Sequence, residues 1–298
     1  MREFKRALGR LCRDRRSVAA LCILGAEVLC VLLLPPLLGL EPNLTDRAAG
    51  FWAPPSAEHW LGTDDVGRDV FARLLYGGRV SLLVGFSAAA ISMAVGVPLG
   101  LLAGYRRGKC EFWIMRCADV FQSFPSIVLI LCLVTLVGPS VCNIILVIGL
   151  LGWTSIARLV YGNALAIREK EYIIAVQALG ARSRTIMFRN VLPNAVAPVW
   201  AALAQRVGRA ILSESSLSFL GVGIRPPQAS WGNLMQHASN LAVLTGRPWV
   251  WLPPGLFIVL TVICLQLVGD GLRDALDPKF ITTNRPCADS PPHGFLQD

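Results

Sequence analysis

Val80-Ser-Leu-Leu-Val-Gly-Phe-Ser-Ala-Ala-Ala-Ile-Ser-Met-Ala-Val-Gly-Val-Pro-Leu-Gly-Leu-Leu-Ala103 carries no charged residue. It exceeds the roughly 20 apolar residues that a helix needs to cross the hydrocarbon of a bilayer. Near its end, Gly96, Gly100 and Gly104 recur four apart, with Pro98 among them. Small residues at that spacing make a smooth stripe on which a second helix can lie closely. Packing within the subunit is expected there rather than a dimer seam.

Working outward, five more segments have the length and apolarity of a span: Val18–Leu40, Val120–Val137, Val141–Val160, Ala195–Leu220 and Val250–Gly269. The first contains Glu27 and ends near Pro35 and Pro36, and the fifth in chain order carries Arg206, Arg209 and Glu214. The whole chain is 54% hydrophobic and 16% charged, against about 25% charged in a soluble domain. The expectation is therefore an all-α membrane protein with six transmembrane helices. The first span lacks the small-residue cleavage site of a secretory signal and is too long for its core, so it is expected to stay as a helix.

The net charge of +9 is placed by the loops. Tyr105–Arg116 has four basic residues against Glu111, and Asn163–Pro193 has Arg168, Lys170, Arg182, Arg184 and Arg189 against Glu169 and Glu171. Glu41–Gly78 instead holds six acids and three arginines. With six helices, the basic loops and both termini fall on one side, which the positive-inside rule makes cytoplasmic. Gly223–Trp249, with two arginines and no acid, is a mild exception. Residues 1–17 form a basic cytoplasmic arm that abuts a span, which favours an orientation signal over nucleic-acid binding. Residues 18–78 give the first span and an extracytoplasmic loop, 79–280 a core of five spans, and 281–298 a Pro- and polar-rich tail expected to be disordered. Nine cysteines without a CxxC, and His59, His237 and His293 without ligand spacing, indicate neither a disulfide framework nor a metal site.

Between the fourth and fifth spans runs Tyr172-Ile-Ile-Ala-Val-Gln-Ala-Leu-Gly180-Ala-Arg-Ser-Arg-Thr-Ile-Met-Phe-Arg-Asn-Val-Leu-Pro193-Asn194. It predicts a short helix, a sharp turn at Gly180, and a second helix with Ile186, Met187 and Val191 on one face and Arg182, Arg184 and Arg189 elsewhere. Pro193 either ends that helix or starts the next span. Such an element can lie on the membrane or dock into a partner's groove.

This stretch resembles the Glu-Ala-Ala loop of binding-protein-dependent ABC importer permeases. Ala175, Gly180, Leu192 and Pro193 match that signature, while Ile174 stands at its Glu position and Val176 at its second Ala. His59-Trp-Leu-Gly-Thr-Asp64-Asp-Val-Gly67-Arg68-Asp69, with Arg73, Arg79 and Ser81, resembles the loop before the second helix in the oligopeptide, dipeptide and nickel branch of that family. So do Leu217-Ser-Phe-Leu-Gly221-Val-Gly223, Pro226-Pro227 and Ser230-Trp231-Gly232, and, at the last helix, Gly269-Asp270-Gly271-Leu-Arg273-Asp274. The resemblance spans about residues 59–280 and fits the second, C-type permease of a pair. It implies a type I importer permease fold in the inner membrane. The implied partners are a homologous permease, two cytoplasmic ATPases and an extracytoplasmic solute-binding protein. The implied solute is a peptide first and nickel or a nickel chelate second. Ile174, Ala175, Val176, Ala178, Gly180, Arg184, Leu192 and Pro193 would then form the ATPase-coupling loop.

No catalysis by the chain itself is expected. The four lysines, at 5, 109, 170 and 279, build no GxxxxGK[ST], and HExxH and GxSxG are missing. No cofactor is expected on this chain. Intramembrane charges are costly and so are functional candidates. Glu214 could face a translocation path or cap a neighbouring helix. Arg206 and Arg209 could attract an anionic solute, though pairing with an acid such as Glu27 is the expectation. The rival readings are a stand-alone channel or secondary transporter, which would work without an ATPase, and an inactive scaffold permease.

Overall fold

The computed structural model describes residues 14–276, with Gly9 and Leu11 ahead of them. The expected tail 281–298 and most of the basic arm lie outside the described residues. Among those residues the structure is helical, with two isolated β-bridges in the loop before the second helix. Four helices are long and apolar enough to cross a membrane: α1 (Arg15–Leu37), α2 (Val70–Arg106), α5 (Val141–Arg168) and α11 (Pro248–Leu276). The expected third span is two helices, α3 (Lys109–Ser123) and α4 (Ser126–Val137), bent by 90° at their junction. Pro125 explains the break, because a proline disfavours helical backbone in the residue before it, and Phe124 is extended. Counting that pair as one span gives five by length and composition, not the six expected.

Between α5 and the long α8 (Leu192–Phe219) lie α6 (Glu171–Ala178), α7 (Ser183–Ile186) and a π turn, Met187–Val191. After α8 come α9 (Trp231–Met235), a 3₁₀ turn and α10 (Leu241–Gly246).

The glycine stripe is an internal seam. A Cβ at Gly96 would sit 2.8 Å from Ile156 Cβ, and one at Gly104 would sit 2.8 Å from Ala164 Cβ. At Gly100 it would strike the Ala157 backbone. α5 returns the fit, since a Cβ at Gly149 would come 2.8 Å from Ile91 Cβ on α2. Small residues facing small residues bring the two backbones together, which is how helices gain contact in lipid. Around this seam, one apolar cluster joins α1, α2, α8, α9 and α11 about Trp231, and a second joins α2, α4, α5 and α8 about Ile144 and Ile148. Outward, Leu29, Leu32 and Leu33 on α1 and Leu256, Val259 and Ile263 on α11 are exposed, as lipid-facing side chains are.

α2 starts ten residues before the expected boundary because the charges that suggested a loop are satisfied inside the fold. Pro35 and Pro36 lie within α1 and lack the N–H groups that would bond the carbonyls four residues back. Those carbonyls, of Val31 and Leu32, accept instead from Arg79 Nε at 2.9 Å and Nη2 at 2.8 Å. One guanidinium thus repairs both breaks and joins α1 to α2. We expect Arg79→Met to destabilise the α1–α2 pair by about 2 kcal/mol, the scale of charge-assisted hydrogen bonds. The loss should shrink in a Pro35→Ala/Pro36→Ala background, where α1 satisfies its own carbonyls. Thermal unfolding of the four variants in detergent, read as a double-mutant cycle, measures this.

Candidate functional site

The segment between α5 and α8 is built from local rules. α6 closes in a Schellman motif: Gly180, at φ +80°, donates to the Gln177 carbonyl at 3.0 Å, and Ala181 donates to that of Val176 at 3.4 Å. Val176 and Ala181, the two positions whose apolar side chains often meet in this motif, are both half-buried against the same cluster. The π turn then leads into α8. Leu192 N–H bonds the Met187 carbonyl five residues back, and this wider turn gives room for the Pro193 ring, which would clash with the carbonyl four residues back in a regular helix. Pro193 therefore starts the next helix rather than ending the one before it.

The segment has two faces. Ile173, Ile186 and Val191 are buried with Tyr105, Val160, Ala164 and Ile167, at the ends of α2 and α5. On the other face Ile174 is 54%, Leu179 86% and Phe188 56% exposed, beside exposed Ala175, Ala178 and Arg184. Of the residues singled out in sequence, Val176 and Leu192 are half-buried on the inner side, and Gly180 and Pro193 are exposed. Leu179 and Phe188, the largest apolar surfaces on this face, were not singled out. Their signal was present, since apolar residues stood where the inner face of each short helix had no place for them.

The intramembrane charges separate into two arrangements. Glu214 is fully buried and accepts from Ser218 Oγ at 2.7 Å, Ser81 Oγ at 3.1 Å and Ser215 Oγ at 3.4 Å. Ser81 Oγ in turn accepts the Trp231 backbone N–H at 3.1 Å, so the carboxyl group ties α2, α8 and the start of α9 together. Arg206 does not pair with Glu27, contrary to expectation. Glu27 accepts from Thr261 Oγ1 on α11 at 2.6 Å, whereas Arg206 donates to the Ile148 carbonyl at 2.9 Å and to Ser92 Oγ at 3.3 Å. Arg209, three residues on, is exposed.

The loop before α2 is organised by carboxylates. Asp64 is buried and accepts from the Val66 and Arg68 backbone N–H groups and from Arg68 Nε at 2.7 Å, with Arg73 Nε 3.4 Å away. Asp65 and His237 come close enough to complete a metal-ligand trio, a grouping that sequence spacing did not suggest. The donors already on Asp64 and the two arginines make it an ion-pair cage. Asp69 caps α2, accepting from the Phe71 and Ala72 N–H groups at 2.7 and 3.0 Å. His59 bridges Asp69, at 2.9 Å from Nδ1, and Asp46, at 3.5 Å from Nε2.

Residues 96–282 match the family described as Binding-protein-dependent transport system inner membrane component. The chain belongs to that family. It is 37% identical to a dipeptide transport system permease protein of Alkalihalophilus pseudofirmus, over 93% of this chain and 90% of that one. It is 42% identical to a glutathione transport system permease protein of Pectobacterium atrosepticum, over 76% of this chain and 74% of the other. A solved structure of the MetNI methionine ABC transporter in an inward-facing conformation superposes with a TM-score of 0.57 at 21% identity, covering 69% of this chain and 96% of that one. The protein is thus a multi-pass inner-membrane permease subunit of an ABC importer with the type I fold.

In this permease, facing two carboxylates requires both His59 ring nitrogens to be donors, and the hydrogen bond to Asp69 raises its pKa above the usual value. A raised folded-state pKa stabilises the loop fully below the unfolded value of about 6.5, and the effect is lost as pH climbs through the folded value. Hydrogen exchange across residues 52–69, corrected for intrinsic rates, should therefore speed up as pH rises above about 6.5 and through the folded-state value. In His59→Gln the exchange should be faster at the low end and nearly flat.

Proposed function

We propose that this permease crosses the membrane six times, with both termini cytoplasmic, as one of two channel-forming subunits of an ATP-driven importer. It works with a homologous permease, two cytoplasmic ATPases and an extracytoplasmic binding protein that delivers a peptide-like solute. The relatives named for dipeptide and glutathione transport support the solute class. The sixth crossing is α8, whose 28 residues suffice at 1.5 Å each. Its charges disqualify it by composition, yet Glu214 and Arg206 bond within the bundle and need not meet lipid.

The observation that carries this reading is the two-faced segment from Ile174 to Pro193. Its inner face is fixed to the ends of α2 and α5, and its outer face presents Ile174, Ala175, Ala178, Leu179 and Phe188 without cover from the described residues. An apolar helix–turn–helix surface on the cytoplasmic side fits a groove on an ATPase. Ile174, at the Glu position of the family signature, makes that contact apolar. Closure of the ATPases would push on this surface and rock the bundle between inward- and outward-facing states.

Copurification from mild detergent, followed by an ATPase assay, tests the reading. The wild-type chain should retain a P-loop ATPase. Leu179→Asp, which alters an exposed side chain, should leave thermal unfolding unchanged and weaken ATPase retention by about tenfold or more, because a charge would be buried without a partner. Gly180→Pro, which cannot adopt φ +80°, should lose it entirely. Wild type emerging with no ATPase would favour a stand-alone channel or secondary transporter.

A further inference from the structure

Arg206 and Arg209 both line a cavity of about 520 Å³ between α8, α5 and the bent pair α3–α4. Among the described residues, neither has a carboxylate within 4.0 Å. The cavity wall contains no acid; its other polar members are Gln122, Ser126, Thr154, Ser155 and Ser213. Two cations so placed in a membrane-embedded wall repel each other and call for an anion.

The arrangement is built rather than incidental. Arg206 occupies a slot that exists because residue 152 is glycine, since a Cβ there would overlap its guanidinium and Ser92 Oγ. The Ile148 carbonyl and Ser92 Oγ hold it there and use two of its donor nitrogens. Arg209 makes no such bond among the described residues and stays exposed at the cavity. The third element is the break in the α3–α4 pair. α4 starts at Ser126, a wall residue, and has no side-chain cap. The positive end of a half-helix therefore borders the same space, and a broken span whose N-terminus meets an anionic group is a recurring way to hold solutes in mid-membrane.

We propose that this cavity is a carboxylate-binding station on the translocation path, where Arg209 receives the free carboxylate of a peptide in transit. Arg206 fixes the local positive potential behind it, and the α4 N-terminus adds to it. The station deepens the importer reading and rests on it. An anionic lipid headgroup shares the recognition chemistry, and the test separates the two.

The assembled importer, with its partner permease, ATPases and binding protein, is placed in phosphatidylcholine nanodiscs and first checked for ATP hydrolysis stimulated by the binding protein. A failure there counts against the importer reading, not against the station. Arginine labelling by phenylglyoxal is then mapped by mass spectrometry with di-, tri- and tetra-alanine, each beside its C-terminal amide. We expect the free acids to slow labelling of Arg209 about tenfold, the scale of one charge-assisted pair, and the amides to leave it unchanged. In liposomes, Arg209→Gln should slow uptake of the free-acid peptides by a similar factor, with partial rescue by Arg209→Lys. Equal protection by acids and amides overturns the proposal, as does a complete lack of protection. Protection that follows added phosphatidylglycerol instead of peptide assigns the cavity to lipid. An Arg209 that resists labelling in every arm assigns it to the seam with the partner permease.

Discussion

In hydrocarbon, the lipid tails are as apolar as leucine, so helices gain little by hiding apolar side chains from their surroundings. What remains is close approach, and the α2–α5 seam supplies it. Gly96, Gly100 and Gly104 on one side and Gly149 and Gly152 on the other leave each helix touching the other's backbone or first side-chain atoms. Other features of the permease are laid on this seam. One end of it offers Tyr105, Val160 and Ala164 as the floor on which the segment between α5 and α8 rests. Farther along, the same economy of side-chain volume at Gly152 opens the slot in which Arg206 lies.

Close approach alone would leave polar groups stranded, and in a dry interior each must find its partner within the protein. The pairs that answer this demand run between helices. Arg79 on α2 completes two carbonyls of α1, Thr261 on α11 donates to Glu27 on α1, and Ser81 on α2 meets Glu214 on α8. Each bond that removes a penalty therefore also fixes one helix against another. α1 depends on this more than the others, since much of its surface faces outward. Its prolines, which would break a helix in isolation, become its attachment to α2.

This division explains what could be read from the chain beforehand. The positions of four spans, their order and the helix–turn–helix before α8 follow from apolar runs, glycine and local turn chemistry, and these were legible. The α2 start was not, because Arg73 and Arg79 look like loop residues until Asp64 and the α1 carbonyls are seen beside them. The split of the third span was foreshadowed only by Pro125, which breaks or merely kinks a helix depending on its neighbours. Partners of Arg206 and Glu27 lie on residues 58 and 234 positions away, beyond any local pattern. Charge alone suggested that they pair with each other, whereas a carbonyl for one and a hydroxyl for the other were the groups within reach.

The helix leading from the segment between α5 and α8 gives the fold its mechanical logic. From Ser183 to Phe219 the backbone is helical without a gap, through the π turn and into α8. One end of this rod carries Phe188 on the outward face of the segment, and farther along it lie Arg206, Arg209 and Glu214. A push on the segment in the proposed importer would thus reach the cavity arginines through continuous helix, with the Glu214 serine nest as the point tied to α2 and α9. The π turn is the place where such a rod would yield, because its bonding pattern departs from the regular helix and Pro193 withholds one donor. A hinge there would let the segment follow its partner while the buried charges kept their bonds. Those bonds, made across helices in a medium that offers no substitute, are costlier to break than the turn is to reshape.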